Sequence, residues 1–261
     1  MTGEEKRIIA EDLYNAELSR QPISKISTRF PEMNVNDSYE IQSIGIDMRI
    51  KNLNRCVVGK KIGITSIGMM KQLNCDTPDY GILLNNAIVT EGQSCSMDEL
   101  ISPRIEGELA FIIDKPLKGP RITIADVYNA TAWVVPCFEV CDTRVANWDV
   151  TVKDTISDNA GASKFVLGSH PKKLNEINPR LIGMMVEKNG VMTGSAAGAE
   201  VMGNPVASVC WLANRLFELD TYLEPGEIIL SGSFMSALPA QAGDSFMAHV
   251  DGFPSVGLRF E

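Results

Sequence analysis

Residues 104–114 have the sequence RIEGELAFIID, which predicts a β-strand with two different faces. The apolar side chains share one parity and suit a buried face: Ile105, Leu109, Phe111 and Ile113. Glu106 and Glu108 take the other parity, so their carboxylates lie side by side with Cα atoms about 7 Å apart. A divalent cation between them would remove their repulsion, because hard cations prefer carboxylate oxygens. The alternative is a solvent-facing strand with two hydrated glutamates.

A second apolar strand is predicted at residues 131–142, TAWVVPCFEVCD, and it contains Glu139 in its middle. A carboxylate inside an apolar strand needs a partner, because burying it alone is costly. Three acids on two strands could therefore hold Mg²⁺ or Mn²⁺, with water and substrate completing the octahedron. Cys137 and Cys141 share the face of Glu139 if the strand is regular.

The composition of the chain limits which kinds of partner it could bind and in which cellular compartment it could function. The chain has 261 residues, 44% of them hydrophobic, and a formal net charge of −9, which disfavours nucleic acid as a partner. It shows no apolar run long enough to span a bilayer and no signal-peptide pattern, so we expect no membrane association and a cytoplasmic location. Six cysteines without a C-x-x-C pair suggest free thiols, and with two histidines they give little support for a zinc site.

The order of patterns predicts an α+β protein. A capping box at Thr2 and Glu5 begins a helix over 3–19, and Asn36 or Asp37 caps a second helix to about residue 51. Residues 1–55 thus form an N-terminal helical arm, and residues 56–261 form a mixed β-roll or barrel-like core. Further strands are predicted at 56–65, 82–90, 227–232, 245–250 and 255–260, and a hairpin at 182–194 turns at Asn189-Gly190. Helices are predicted at 66–74 and 123–130. A last helix begins at Asn204-Pro205 and buries Val209, Leu212, Leu216 and Leu219.

Seven segments give the chain a specific resemblance: GKKIGITS (59–66), TPDYG (77–81), PRIEGELAFI (103–112), VVPCFEVCDTR (134–144), DTISDNA (154–160), WLAN (211–214) and EIILSGS (227–233). In this order they resemble the 2-oxopent-4-enoate (2-hydroxypenta-2,4-dienoate) hydratases and the 4-oxalocrotonate decarboxylases of the fumarylacetoacetate-hydrolase-like superfamily. The resemblance implies a distorted mixed-β roll with the site in its mouth. It also implies that Glu106, Glu108 and Glu139 bind the metal.

Two further residues acquire roles through the resemblance. Lys60 and Lys61 face opposite ways on a strand, so we expect at most one on the core side, and both could be hydrated. The family places its lysine immediately before the Ile-Gly pair, which selects Lys61. Thr77–Gly81 has the composition of a turn. The resemblance nevertheless makes Asp79 a catalytic candidate, because the hydratases have Asp there and the decarboxylases an apolar residue.

The substrate contacts are less well defined by the resemblance. Ser163 and Ser233 are the candidates for substrate binding. Relatives often have Ser or Gly-Ser directly after the DNA or DNG segment, whereas here Gly161 follows Ala160 and the nearest serine is Ser163, so a hydroxyl contact could be missing or displaced. Glu200 stands where a small residue is expected, either as a hydrated loop acid or as a change in the pocket.

The resemblance implies a hydro-lyase that adds water to 2-hydroxypenta-2,4-dienoate to give 4-hydroxy-2-oxopentanoate in the meta-cleavage catabolism of aromatic hydrocarbons. Three alternatives stay open: a 4-oxalocrotonate decarboxylase, an acylpyruvate hydrolase and a non-catalytic partner subunit. The apolar faces of the helical arm, like the family, predict a homo-oligomer. Association with a neighbouring pathway enzyme is a further expectation.

Overall fold

A computed structural model describes all residues, 1–261. A helical arm precedes a core of two β-sheets and short helices, which confirms the predicted α+β class. The helices are α1 (Gly3–Ser19), α2 (Ile26–Arg29), α3 (Val35–Leu53), α4 (Ile67–Leu73), α5 (Ile124–Ala130), α6 (Val152–Ser157) and α7 (Pro205–Phe217). The strands are β1 (Val57–Gly63), β2 (Asp79–Leu84), β3 (Ile88–Val89), β4 (Ser94–Cys95), β5 (Arg104–Ile113), β6 (Thr131–Cys141), β7 (Ala162–Leu167), β8 (Gly183–Lys188), β9 (Val191–Ala197), β10 (Ile228–Leu230), β11 (Leu238–Pro239), β12 (Ser245–Val250) and β13 (Val256–Phe260). None of the helices has the length and apolarity needed to cross a membrane.

Both long helices of the arm begin with a capping box. Thr2 and Glu5 form the predicted one at α1. The cap of α3 is Asn34, so the prediction of Asn36 or Asp37 as the cap was wrong. Asp37 is instead the reciprocal partner: its backbone N–H donates to Asn34 Oδ1, and its carboxylate accepts from the Asn34 backbone N–H, both at 3.0 Å.

The arm packs against the rest of its own chain. Ile9, Leu13 and Ile41 form a small apolar cluster with Ile26 and with Val145 of the core. This cluster buries much of the arm's apolar face within the monomer. The arm therefore gives less support for a homo-oligomer than its sequence suggested, and the oligomer stays a prediction.

The large sheet curls around the candidate site. Its strand order is β2-β1-β10-β5-β6-β7-β3, with β11 also paired to β5, and β2 contacts β7 across the interior. Residues that are directly paired in neighbouring strands share a face. A continuous inner face therefore runs through Leu83, Leu230, Ala110, Val135 and Phe165, which pack together as an apolar plug.

The outer face of the large sheet is covered. The second sheet has the order β4-β13-β12-β8-β9, and its Phe246 packs edge-on against Phe138 of β6 at 6.4 Å between ring centroids. The β8–β9 hairpin turns at Asn189 and Gly190, both with positive φ, as predicted. In α7, Val209, Leu212 and Leu216 are buried, but Leu219 lies beyond the helix end and is 40% exposed, so its predicted burial was wrong.

Two other predictions need correction. The strand predicted at 82–90 begins earlier, at Asp79, and is interrupted by a 3₁₀ turn over Asn85–Ala87. Lys60 and Lys61 point to opposite faces as expected, yet both are buried. β1 is an interior strand, and its outer face is covered as well. Lys60 forms an ion pair there with Glu227.

Candidate metal centre

Three glutamates meet on the inner face of the curled sheet. Glu106 of β5 and Glu139 of β6 are directly opposite in the antiparallel register, and Glu108 follows two residues later on the same face, opposite Cys137. Glu108 and Glu139 are fully buried, whereas Glu106 is partly accessible. The alternative of two hydrated glutamates on an outward strand is therefore wrong.

Lys61 and Asp79 complete this group. They occupy the inner face of β1 and β2, because Lys61 is paired with Gly81, two residues from Asp79. Lys61 Nζ lies 3.2 Å from Glu139 Oε1. A Cβ on Gly63 would overlap Asp79 Oδ1 and lie 3.3 Å from Lys61 Nζ, so these two groups border the same small space. Asp79 is fully buried in a strand, which contradicts the predicted turn.

Most of the carboxylate oxygens have no hydrogen-bond donor. Glu108 Oε2 accepts a bond of 2.7 Å from the backbone N–H of Gly232. Glu108 Oε1 and both oxygens of Glu139 and of Asp79 have no partner, and the Lys61–Glu139 ion pair lacks hydrogen-bond geometry. Buried polar atoms normally have a hydrogen-bond partner. The unpaired oxygens gathered here therefore indicate a binding site for a cation.

Burial and mutual repulsion weaken the acidity of these groups. Burial, followed by repulsion from Glu139, raises the pKa of Glu106 to about 7 and that of Glu108 well above its usual range. Burial also raises the pKa of Glu139, against the opposing effect of Lys61. For Lys61, burial lowers the pKa, but the carboxylates, Glu139 first, outweigh it and raise the pKa well above normal. The ammonium group therefore stays charged.

These residues fit a hard divalent cation. Four carboxyl groups, including that of Asp79, face a single ammonium group, so an added positive charge would stabilise their ionised forms. The free oxygens of Glu108 and Glu139 are the donors that Mg²⁺ or Mn²⁺ prefers.

Two side chains near the glutamates were not predicted as site residues. Cys141 is buried, and its Sγ–H donates to Glu106 Oε2 at 3.5 Å. Arg104 shares the face of Glu106, and its guanidinium lies 4.4 Å from the centre of the Trp148 ring. Strand parity alone could have identified both, since each lies two residues from a candidate glutamate.

The candidate substrate serines form no hydrogen bond with the carboxylates or with Lys61. Ser163 lines a separate cavity of about 300 Å³, which none of the three glutamates lines. The Oγ of Ser233 donates to the carbonyl of Met235. Gly161 has φ +69°, a left-handed conformation that favours glycine, and Glu200 is exposed in a 3₁₀ turn. The substrate-binding roles of the two serines stay predictions.

The fold and the chain's similarities define its class. The chain belongs to the fumarylacetoacetate hydrolase family, because the family model for the fumarylacetoacetate (FAA) hydrolase C-terminal region matches residues 63–260.

Within that family, the chain is similar to a 2-oxo-hept-4-ene-1,7-dioate hydratase of Escherichia coli, with 40% identity covering 97% of each chain. A 2-keto-4-pentenoate hydratase of Paraburkholderia xenovorans is 36% identical over 100% of this chain and 97% of the relative. Among solved structures, the 4-oxalocrotonate decarboxylase of Pseudomonas putida G7, complexed with magnesium and adipate, has a TM-score of 0.96 at 35% identity, covering 100% of this chain and 99% of the other.

Proposed function

We propose that this protein is a hydro-lyase that adds water to 2-hydroxypenta-2,4-dienoate and forms 4-hydroxy-2-oxopentanoate, a step in the catabolism of aromatic compounds by meta-cleavage. The observation that carries the proposal is the fully buried Asp79 beside Lys61 and the three glutamates. A carboxyl group at that place can orient water and move protons, as hydration requires. The hydratase names of the relatives from Escherichia coli and Paraburkholderia xenovorans support the same reaction.

In this proposal Glu106, Glu108 and Glu139 hold Mg²⁺ or Mn²⁺. The magnesium in the Pseudomonas putida structure supports a divalent ion. When bound, such an ion would offset the negative charge of the substrate's carboxylate and polarise its C2 carbonyl.

The chain's own residues supply the charge and the proton transfers. The ammonium of Lys61 faces the inner space and stabilises negative charge that develops on the C2 oxygen. The substrate first ketonises to the 2-oxo-3-ene acid: the C2 hydroxyl loses its proton and C5 gains one. Water then attacks C4, and Asp79 orients this water molecule or accepts a proton from it. Protonation of C3 completes the addition of one water molecule. Burial raises the pKa of Asp79 to about 6, which suits a group that both accepts and donates protons near neutral pH.

Arg104 is placed to interact with the far end of a longer substrate. It lies two residues before Glu106 on the same face, forms no ion pair, and is held against Trp148, whose Nε1–H donates to the carbonyl of Ser102 at 2.9 Å. A dioate, such as that in the name of the Escherichia coli relative, would present a second carboxylate to this guanidinium. Ser163 and Ser233 remain proposed substrate contacts.

A 4-oxalocrotonate decarboxylase is the second candidate, because the solved structure with a TM-score of 0.96 has that name. One experiment separates the two reactions. The purified protein with Mg²⁺ is given the dienoate and 2-oxohex-3-enedioate separately, and loss of absorbance and release of CO₂ are both followed. We expect hydration of the dienoate without CO₂ release; rapid CO₂ release from the dioate, with no hydration of the dienoate, would refute the proposal.

The remaining alternatives have less support. An acylpyruvate hydrolase with a histidine as the base for its water has no such group beside the carboxylates, because His249 belongs to the second sheet, where its Nδ1 is 2.7 Å from Ser255 Oγ, and His170 is exposed beyond β7. A non-catalytic partner subunit has no need for a buried group of four acids and one lysine. Association with a neighbouring pathway enzyme stays a proposal.

We also propose that the protein is a cytoplasmic homo-oligomer. In this proposal each chain has a helical arm, residues 1–55, and a catalytic domain, residues 56–261. All six cysteines are free, which suits a reducing compartment. The end of α3 at Leu53 and the start of the family match at residue 63 support the domain boundary.

A further inference from the structure

The inner face of the large sheet places a sulfur donor beside the glutamates. Cys141 is the last residue of β6, two residues after Glu139. One ligand atom each of Glu106, Glu139 and Cys141 forms a triangle in which all lie within 4.8 Å of one another. The thiol points at Glu106, and both oxygens of Glu139 lack a hydrogen-bond partner.

These three side chains differ chemically from the three glutamates. Carboxylates alone suit Mg²⁺ and Mn²⁺, whereas a thiolate attracts borderline and soft ions such as Zn²⁺, Co²⁺ and Cd²⁺. Two carboxylates and one thiolate, with water as a fourth ligand, match the coordination number that Zn²⁺ favours. The numbers and spacing of cysteines and histidines offer little support for a cysteine–histidine zinc site. The register of β5 against β6 supplies a different set of ligands.

We infer that Glu106, Glu139 and Cys141 form an alternative metal site for thiophilic divalent ions, and that occupation of this site excludes the hard ion held by the three glutamates. The exclusion follows because Glu106 and Glu139 belong to both sets. The inference rests on the proposed function only in that it makes Zn²⁺ an inhibitor of the proposed hydratase. On binding, the ion replaces the thiol proton, which leaves to solvent.

Cys137 provides a matched control within the same strand. It also lies two residues from Glu139 on the same face, but it is opposite Glu108 and packs in the apolar plug with Ala110 and Phe165. It is not part of the triangle of ligand atoms. If any buried thiol on this face bound the ion, Cys137 would serve as well as Cys141.

The test uses Cd²⁺ and Co²⁺ as spectroscopic probes, without substrate. Cys56 is exposed and Cys75 is half-buried, so both are replaced by serine in the background protein to remove competing thiols. We expect one equivalent of either ion to give a thiolate-to-metal charge-transfer band, which excess Mg²⁺ suppresses. Cys141→Ser should lose the band, and Cys137→Ser should keep it.

The preference for Zn²⁺ over Mg²⁺, measured by competition, should fall at least roughly ten- to hundredfold in Cys141→Ser, the range seen when even outer-sphere support of a metal is lost. Cys141→Val, which keeps an apolar side chain of similar size, should behave in the same way and guards against a folding defect specific to serine. Absence of the band in the background protein, or its persistence in both Cys141 variants, would overturn the inference. Hydration with Mg²⁺ is measured separately, so failure of the proposed function would leave the spectroscopic result unaffected.

Discussion

Replacing Asp79 by Asn tests the proposed hydration most directly. The carboxyl group lies fully buried on the inner face of β2, and neither oxygen has a hydrogen-bond partner. Asn has nearly the same shape but cannot accept a proton from water. We therefore expect the variant to fold and to bind Mg²⁺ through the three glutamates.

The burial of Asp79 determines how far the substitution should change the free energy of unfolding and the rate of hydration. Burial raises the pKa of Asp79 from 3.8 to about 6, which corresponds to roughly 3 kcal/mol against the ionised form. Asn removes that cost but leaves a buried amide without a partner, at about 1–3 kcal/mol, so the free energy of unfolding should change little. Hydration should fall by roughly 10²–10⁴-fold, the usual contribution of one general acid–base group.

The assay follows loss of dienoate absorbance at saturating Mg²⁺. The defect should appear in kcat more than in KM, because the group acts in the transition state. Solvent deuterium should still enter C5 if Asp79 serves only the addition of water at C4. Asp76→Asn is the matched control, since Asp76 is exposed three residues earlier and should retain wild-type rates. Near-wild-type hydration by Asp79→Asn would falsify the assigned role and remove the main reason for preferring a hydratase.

The other predictions concern the metal, pH, substrate length and assembly. Glu106→Gln or Glu139→Gln should abolish the rise in Tm with Mg²⁺, whereas the exposed Glu200→Gln should retain it; full activity in EDTA, with no metal in the purified protein, would contradict the metal site. Because folding raises the pKa of Glu106 from 4.5 to about 7, the free energy of unfolding of the metal-free protein should fall as pH rises through that interval, and saturating Mg²⁺ should reverse the trend in thermal scans; a metal-free protein that gains stability over this range would count against it. Arg104→Ala should raise KM roughly ten- to hundredfold for a dienoate with a distal carboxylate and much less for the pentadienoate, and equal effects on both would exclude this contact. Light scattering should show an oligomer at micromolar concentration, and a monomer would refute that prediction.

The strands that carry the glutamates could be predicted because their information is local. In β5 the apolar and acidic residues alternate with the period of a strand, and β6 has a single acid in an apolar segment. Parity alone then places Glu106 beside Glu108. The opposition of Glu106 and Glu139 depends on how β5 pairs with β6, which no single segment specifies.

The errors arose where pairing outweighs local composition. The segment around Asp79 has the Pro, Asp and Gly of a turn, but Asp79 pairs with Gly63 and becomes the first residue of β2. Lys60 looked hydrated because an outer strand face is often solvated. It is buried because β1 lies between two strands and Glu227 supplies a partner. The pairing of Asp79 and the burial of Lys60 both depend on the assembled sheet, so neither segment alone could predict them.

The spacing of glycines in β1 has a consequence for the accuracy of folding. A Cβ on Gly59 would overlap the backbone of Ile228 in β10, and one on Gly63 would overlap the carboxylate of Asp79. The strand can approach its neighbours at these two points only because it has no side chain there.

Two adjacent lysines leave part of the alignment of β1 undecided by charge. A slip of one residue would bring Lys60 to the place of Lys61 and preserve the inner ion pair, and charge would oppose the slip only through the lost outer pair of Lys60 with Glu227. The same slip would push Val58 and Ile62 into the two gaps that the glycines leave, where the overlap forbids them. The glycines thus add a steric penalty against the shifted alignment. An alanine at Gly59 should increase misfolding, whereas an alanine at Gly63 would also displace the carboxylate of Asp79.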